Sequence, residues 1–409
     1  MKKQLLILGA GAAGTMSANM LRRKLKKSEW DITVIDKDDQ HIYQPGLLFV
    51  PFGMYTPEEI VRSRGKCLAP DIKYVIDEIE SLDTEKQVVK TTSHTFEYDK
   101  IIVATGARIV PEEIDGMMEG WRKNIFDFYT MEGATALAEA LRNFKGGKLI
   151  LNIAELPYKC PVAPLEFVYL ADHYFHERGI REKVDIQLVT PLPSAFTKPK
   201  ATAHFSAIAK AKDIEVVGNF ELIEVDYASG TIISADDKKM DYDLLVSIPP
   251  HAGAGFLAQS GAAMDETGYM ATNKHTLQSM SHPNMYVVGD GSNIPTSKAG
   301  SVAHFSAEVM VENFMRELAG EPVKPDYDGH SNCFIETGFG KASLIDFNYT
   351  VEPLPGMFPL PGMGPFTLLG ESKANHWGKM LFKWVYWNQL MPGGEFPLEA
   401  QMSMAGKLH

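Results

Sequence analysis

The hexad Gly9-Ala10-Gly11-Ala12-Ala13-Gly14 follows the apolar run Leu5 to Leu8 and opens a helical stretch reaching about Lys26. A strand, a glycine-rich turn and a helix in immediate succession read as the first βαβ unit of a parallel sheet. Gly9 permits the turn, Gly11 lets the backbone approach a pyrophosphate, and Gly14 lets the helix pack on the strand, with Ala13 inside the same loop. The helix start adds an electropositive end for a phosphate. A second strand, Ile32 to Ile35, runs into Asp36 and Lys37, where an acidic side chain can accept from a ribose hydroxyl.

Short β-like runs follow at Lys73 to Ile76, Gln87 to Thr91 and Lys100 to Ala104, the last closing in Ala104-Thr105-Gly106. Far along the chain, Met285 to Val288 is another strand, ending in Gly289-Asp290. Together with the first loop these resemble the three nucleotide-contacting segments of flavoproteins built from two dinucleotide domains. That resemblance implies FAD, with Asp290 reaching the ribityl or phosphate part, and Pro45 and Gly46 join the cofactor-binding set. Beyond Asp290, Thr296 or Ser297 is placed to cap a helix, so Lys298, Ala299 and Gly300 are expected to bring a helix start and a full positive charge to the flavin N1 and C2 carbonyl.

The 409 residues are 45% hydrophobic, enough to bury a sizeable core in two or three domains. A net charge of −12 without a long Lys/Arg tract excludes a nucleic-acid surface. No signal peptide is read at the start, and no apolar run free of helix breakers is long enough to span a bilayer. The three cysteines, Cys67, Cys160 and Cys333, do not make a secreted disulfide framework. Nor do the twelve histidines show metal-ligand spacing, so no metal is expected.

A nicotinamide-using flavoprotein of this kind carries a second glycine loop after a strand in mid-chain. Here that strand is Lys148 to Ile153, and no residue from Ala154 to Leu165 is glycine, whereas three are proline. Such a backbone cannot wrap a pyrophosphate. The loop offers a thiol, Cys160, between Lys159 and Pro161, with Glu166 at the start of a helix suggested by Leu165 to Tyr174. Lys159 and the helix start favour the thiolate, and Glu166 is a candidate proton carrier.

Lys159-Cys160-Pro161-Val162-Ala163-Pro164-Leu165-Glu166, the later Asn332-Cys333-Phe334 and Pro295-Thr296-Ser297-Lys298-Ala299-Gly300 resemble the sulfide:quinone oxidoreductases and their relative, flavocytochrome c sulfide dehydrogenase. The match covers most of the chain. It implies that Cys160 and Cys333 flank the flavin ring as a redox disulfide or polysulfide bridge and that FAD passes electrons to a quinone. One departure is plain: Phe126 to Gly133, where many members carry a third cysteine, has none. Cys67 reads as structural, and covalent attachment of FAD is not expected.

From Pro353 to Gly370 the chain has no charged residue but is cut by Pro355, Pro359, Pro361 and Pro365. The next stretch, Lys373 to Met391, holds three of the five tryptophans; Trp377, Met380, Leu381, Trp384, Trp387 and Met391 fall on one helical face, with Lys379 and Lys383 opposite. This is the pattern of an interfacial helix on a membrane surface, or of a helix packed on the protein's own core or on a second subunit. Phe334, Phe366, Phe382 and Tyr386 are candidates for stacking on quinone, and Lys379 or His376 for giving it a proton.

The expected architecture is α/β: two Rossmann-like three-layer domains of the glutathione-reductase type plus a C-terminal membrane-binding segment. The FAD-binding domain is assigned to 1–110 and 270–320, the second Rossmann-like domain to 111–269, and the quinone and membrane region to 321–409. The expected partners are sulfide, ubiquinone or menaquinone, and the surface of a prokaryotic cytoplasmic membrane, on a face the sequence leaves open; a homo-oligomer also stays open. The alternatives are a flavocytochrome-type sulfide dehydrogenase and a type II NADH:quinone oxidoreductase.

Overall fold

The apolar runs and the turns that bound them fold into two parallel sheets and a C-terminal hairpin layer. The computed structural model describes residues 2–359, 364–394 and 399–408. In chain order come β1 (Lys3–Leu8), α1 (Ala12–Lys24), β2 (Trp30–Asp36), β3 (Lys73–Ile76) and β4 (Lys100–Val103). They are followed by β5 (Ile125–Phe126), α2 (Met131–Asn143), β6 (Gly147–Ile153), α3 (Ala163–Glu177), β7 (Val184–Val189), β8 (Ile214–Val217) and β9 (Leu244–Ile248). Next are β10 (Met285–Val287) and α4 (Gly300–Leu318).

The first sheet has the order β10-β4-β1-β2-β3 and the second β5-β9-β6-β7-β8, every pairing parallel. Leu5 to Leu8 are all buried, as strands covered on both faces by helices must be. The glycine loop therefore emerges at the carboxyl end of a central strand, where open α/β sheets bind their ligands.

The third layer is β11 (Ser331–Gly338), β12 (Lys341–Phe347), β13 (Gly356–Phe358) and β14 (Phe366–Leu368), in the order β11-β12-β14-β13. Of the four prolines expected to cut this region, Pro361 lies outside the described residues. β11 packs on α3 and on α5 (Lys373–Val385), so it joins the Cys333 segment to the Glu166 helix. The segment 399–408 is clasped to the same layer. Its Lys407 ammonium is buried on Asp346 Oδ2 at 2.5 Å, and His330 Nε2 meets Asp346 Oδ1 at 2.7 Å.

Two sequence expectations change here. The last helix does not present one apolar face. Trp377, Leu381 and Trp384 are more than half exposed, but Trp387 and Met391 are buried. A π-turn over Tyr386–Leu390 explains the split, because one extra residue per turn rotates the helix and swings the next side chains inward. Nor does Lys379 stand among surface charges; it is buried against Glu166. Among the described residues, no helix is long and apolar enough to cross a membrane.

Candidate functional site

A cavity of about 890 Å³ opens where the glycine loop, α4 and the Cys160 loop converge, within the size range of small-molecule and cofactor clefts. Its wall contains Gly9, Gly11, Ala13, Asp36, Lys37, Pro45, Ala104, Thr105, Gly106, Gly289, Asp290, Lys298, Ala299 and Gly300, all expected to hold the cofactor. Gly14 and Gly46 stand behind it. A Cβ on Gly14 would meet the Gly9 carbonyl oxygen at 1.9 Å, and one on Gly46 would meet Ile60 at 2.6 Å, so both glycines serve close packing. Gly11 is the contrary case: an added Cβ meets nothing within 4 Å and points into open space.

Two helices begin at this cavity with no side-chain cap. The N-cap of α1 is Gly11 and that of α4 is Ala299, so their first N–H groups are left for a ligand. This corrects the expected cap at Thr296 or Ser297; Thr296 Oγ1 instead donates to Gly329 O at 2.9 Å. These residues fit a dinucleotide: the open N–H groups at the start of α1 would hold its phosphates, and those of α4 would face its ring system. At the other end, Asp36 Oδ2 accepts the Ala10 N–H at 2.7 Å and Oδ1 accepts that of Lys37 at 2.8 Å. Arg64 pairs with the same carboxylate. The acid thus fastens the glycine loop while it faces the cavity.

Lys298 is tied to the loop before it. Its ammonium donates to Asp290 O at 2.7 Å and Ser292 O at 2.9 Å and lies over the Tyr269 ring. Lys298 thus holds the loop that carries Asp290 while it stays in the cavity wall, with one ammonium N–H beyond these two bonds.

The Cys160 loop is fixed by the same segment. Cys160 takes φ 51°, a left-handed conformation costing a non-glycine residue about 1 kcal/mol, and its N–H donates to Lys298 O at 2.7 Å. Its carbonyl accepts the Ala163 N–H at 2.9 Å, at the start of α3. Burial pushes the Cys160 thiol up, Glu166 and Cys333 push it further, and the cation pulling it back is Lys379. Lys159, expected in that role, also interacts with the Cys160 charge, although burial lowers its own pKa, and its ammonium lies 6.0 Å from the Tyr129 ring centroid. Cys333, on β11, is pushed by burial up to about 12 and faces the same Lys379 and Glu166. Both thiols are free, and Cys160 lines the cavity whereas Cys333 does not.

Glu166 is fully buried on α3. Its Oε1 accepts from Lys379 Nζ at 2.7 Å and from the Glu336 N–H at 2.9 Å, while Oε2 has no partner. Burial raises its pKa against the pull of Lys379. Lys379 also donates to Phe334 O at 2.9 Å. Of the quinone candidates, Lys379, Phe382 and Tyr386 line the cavity, whereas Phe334 and Phe366 pack edge to face behind it, 5.1 Å apart. Tyr386 is hydrogen-bonded to His41 at 2.7 Å.

Sequence reasoning missed Arg64, Phe128, Tyr129 and Gln259, all in the wall. Phe128 and Tyr129 stand in the stretch where a third cysteine was sought, and the buried Tyr129 hydroxyl has no partner. None lies in a motif, and only the return of distant loops assembles them. The segment was legible, the residues in it were not. Among the described residues no cluster of three or more His, Cys, Asp or Glu is placed to hold a metal ion.

Residues 3–150 match the pyridine nucleotide-disulphide oxidoreductase family model. The chain is 26% identical to the mitochondrial sulfide:quinone oxidoreductase of Mus musculus over 95% of its length and 86% of that protein. Identity to the Dictyostelium discoideum mitochondrial enzyme is also 26%, over 96% of this chain and 87% of that protein. The sulfide:quinone oxidoreductase structure from Aquifex aeolicus shares the fold, with a TM-score of 0.81 at 19% identity over 96% of this chain and 92% of the other. A type II NADH:quinone oxidoreductase from Staphylococcus haemolyticus is 29% identical over only 29% of this chain. The fold is the mixed α/β fold of the flavoprotein disulfide reductases. The relatives are mitochondrial as well as bacterial, which does not support the restriction to a prokaryotic membrane.

Proposed function

We propose that this chain, similar along nearly its whole length to sulfide:quinone oxidoreductases, is a FAD-dependent enzyme that oxidises sulfide and reduces a quinone. The observation that carries this reading is the replacement of a second glycine loop by a strapped thiol, Cys160, on the wall of the dinucleotide cavity beside Glu166 and Lys379. FAD, when bound, supplies a two-electron acceptor for sulfur and donor for quinone.

The protein's part begins at the sulfur pair. With Cys160 and Cys333 joined as a disulfide, HS⁻ attacks one sulfur; an S–S bond forms to the incoming sulfur, the old one breaks, and the other cysteine leaves as thiolate. The outer sulfur of the resulting persulfide is then already zero-valent, the disulfide having taken its two electrons. A second HS⁻ lifts it off as hydrodisulfide, the first unit of polysulfide, and re-forming the Cys160–Cys333 bond from the two thiolates releases the two electrons that FAD would accept. Glu166, raised by burial and with one free oxygen, accepts a proton from the sulfur side. Lys379 holds a compensating charge and donates towards quinone, with Phe382 and Tyr386 as the apolar wall.

The exposed trio Trp377, Leu381 and Trp384 gives α5 an apolar outer edge suited to a peripheral membrane contact, where a lipid-borne quinone is met. Anaerobic sulfide should bleach the flavin absorbance of the holoenzyme, and a ubiquinone analogue should restore it. Flavin that stays oxidised with sulfide sinks the reading, and bleaching by NADH instead would favour an NADH:quinone oxidoreductase.

A further inference from the structure

Lys379 and Glu166 face the cavity with side chains only 11% and 1% exposed, and with that cavity filled by cofactor and quinone the protons of a quinol must reach them from another side. Among the described residues a titratable connection leads outward. Glu336, on β11, has a side chain 1% exposed, and both its carboxylate oxygens meet His376 Nδ1, at 3.0 and 2.9 Å. His376 is 16% exposed and lies one turn before Lys379 on α5, next to the exposed Trp377. On its inner side the Glu336 backbone N–H donates to Glu166 Oε1, while the carboxylate itself faces the charges of Lys379 and Glu166 through space.

We infer that Glu336 and His376 form the proton path between solvent and the buried Glu166–Lys379 pair. The inference deepens the proposed function and rests on it for the final proton acceptor, the quinone. Glu336 is faced by His376 and Lys379 from α5, by Glu166 from α3, and by Tyr55 from the loop before Pro57. A bare buried carboxylate here would be a costly ornament, because a neutral side chain would serve packing as well. Burial brings Glu336 to about 7, against the pull of His376 and Lys379, so it both gains and loses a proton near neutrality.

The proton balance closes. Reduction to quinol takes two electrons and two protons: the reduced cofactor would bring one proton with its electrons, and Lys379 gives the other, its amine being recharged from Glu336. Glu336 is refilled by Nδ1 of His376, and the ring recovers its proton at Nε2 from water. Over a turnover no charge remains on the chain.

The test leaves sulfide out. Holoenzyme reduced with stoichiometric dithionite is mixed anaerobically with a short-chain ubiquinone in weak buffer, and flavin reoxidation is followed together with proton uptake by a pH-sensitive dye. Glu336→Gln and His376→Ala should both slow reoxidation and proton uptake by on the order of tenfold or more near pH 8, where protons are scarce. Millimolar imidazole should restore His376→Ala and leave Glu336→Gln slow. Reoxidation within about twofold of the wild type across the pH range in both variants overturns the path. So does slowing that is uniform with pH and insensitive to imidazole, which marks a structural role. If sulfide fails to bleach the wild type while dithionite-reduced protein still passes electrons to quinone, the donor is wrong and the path is judged on these variants alone. If quinone does not reoxidise the wild type, the path falls with the acceptor.

Discussion

Replacing Lys379 by methionine, a side chain of similar length, removes one partner of an ion pair whose carboxylate is fully buried. Glu166 Oε1 would keep only the Glu336 N–H, Oε2 already has no partner, and Phe334 O would lose its donor. Stranding one member of a buried pair costs about 3–5 kcal/mol, a large share of the stability of most folds. The loss should depend on pH in a definite sense. With the ammonium gone, burial acts on Glu166 against only the Glu336 N–H, so its folded pKa stands above the unfolded value. The folded state then binds the extra proton, and stability falls as pH rises from the ordinary carboxylate range upward. Urea unfolding of Lys379→Met should therefore show a smaller deficit near pH 5 than near pH 8. Adding Glu166→Gln should recover most of the loss near pH 8, because the stranded charge is then absent. A deficit equal at both pH values, or a double variant no better than the single one, would refute the stranded-charge reasoning.

Three further outcomes follow from the same geometry. Gly14→Ala, whose Cβ would sit 1.9 Å from a backbone oxygen, should fail to fold or lose FAD, whereas Gly11→Ala should melt like the wild type without cofactor and bind FAD more weakly, read by thermal shift and flavin titration. Asp346→Ala strands the buried Lys407 and should cost about 3–5 kcal/mol, with the 399–408 segment becoming the first site cut in limited proteolysis. Glu336 is raised from 4.5 to about 7, so the wild type should lose roughly 3 kcal/mol between those pH values, and Glu336→Gln should flatten that part of a pH–stability curve.

The first βαβ unit was legible because its physics is local. A glycine loop, an acid at the next strand end and an apolar run specify one another within about 30 residues, and Lys73 to Ile76 was even bounded correctly. The Cys160 loop was legible through what it lacked. The Glu166–Lys379 pair joins residues 213 apart in sequence, and no periodicity announces such a contact. The pairing moved Lys379 from an expected outer face to the cavity wall. Trp387 and Met391 were misplaced for another reason: a π-turn breaks the 3.6-residue period on which the helical face was drawn.

The strap between Cys160 and Lys298 makes one lever of two loops. Cys160 N–H is bound to Lys298 O, and the Lys298 ammonium is bound to the carbonyls of Asp290 and Ser292. Whatever orders the 289–300 segment therefore also aims the sulfur. Loading of the cofactor and readiness of the thiol are thermodynamically linked, so each should strengthen the other.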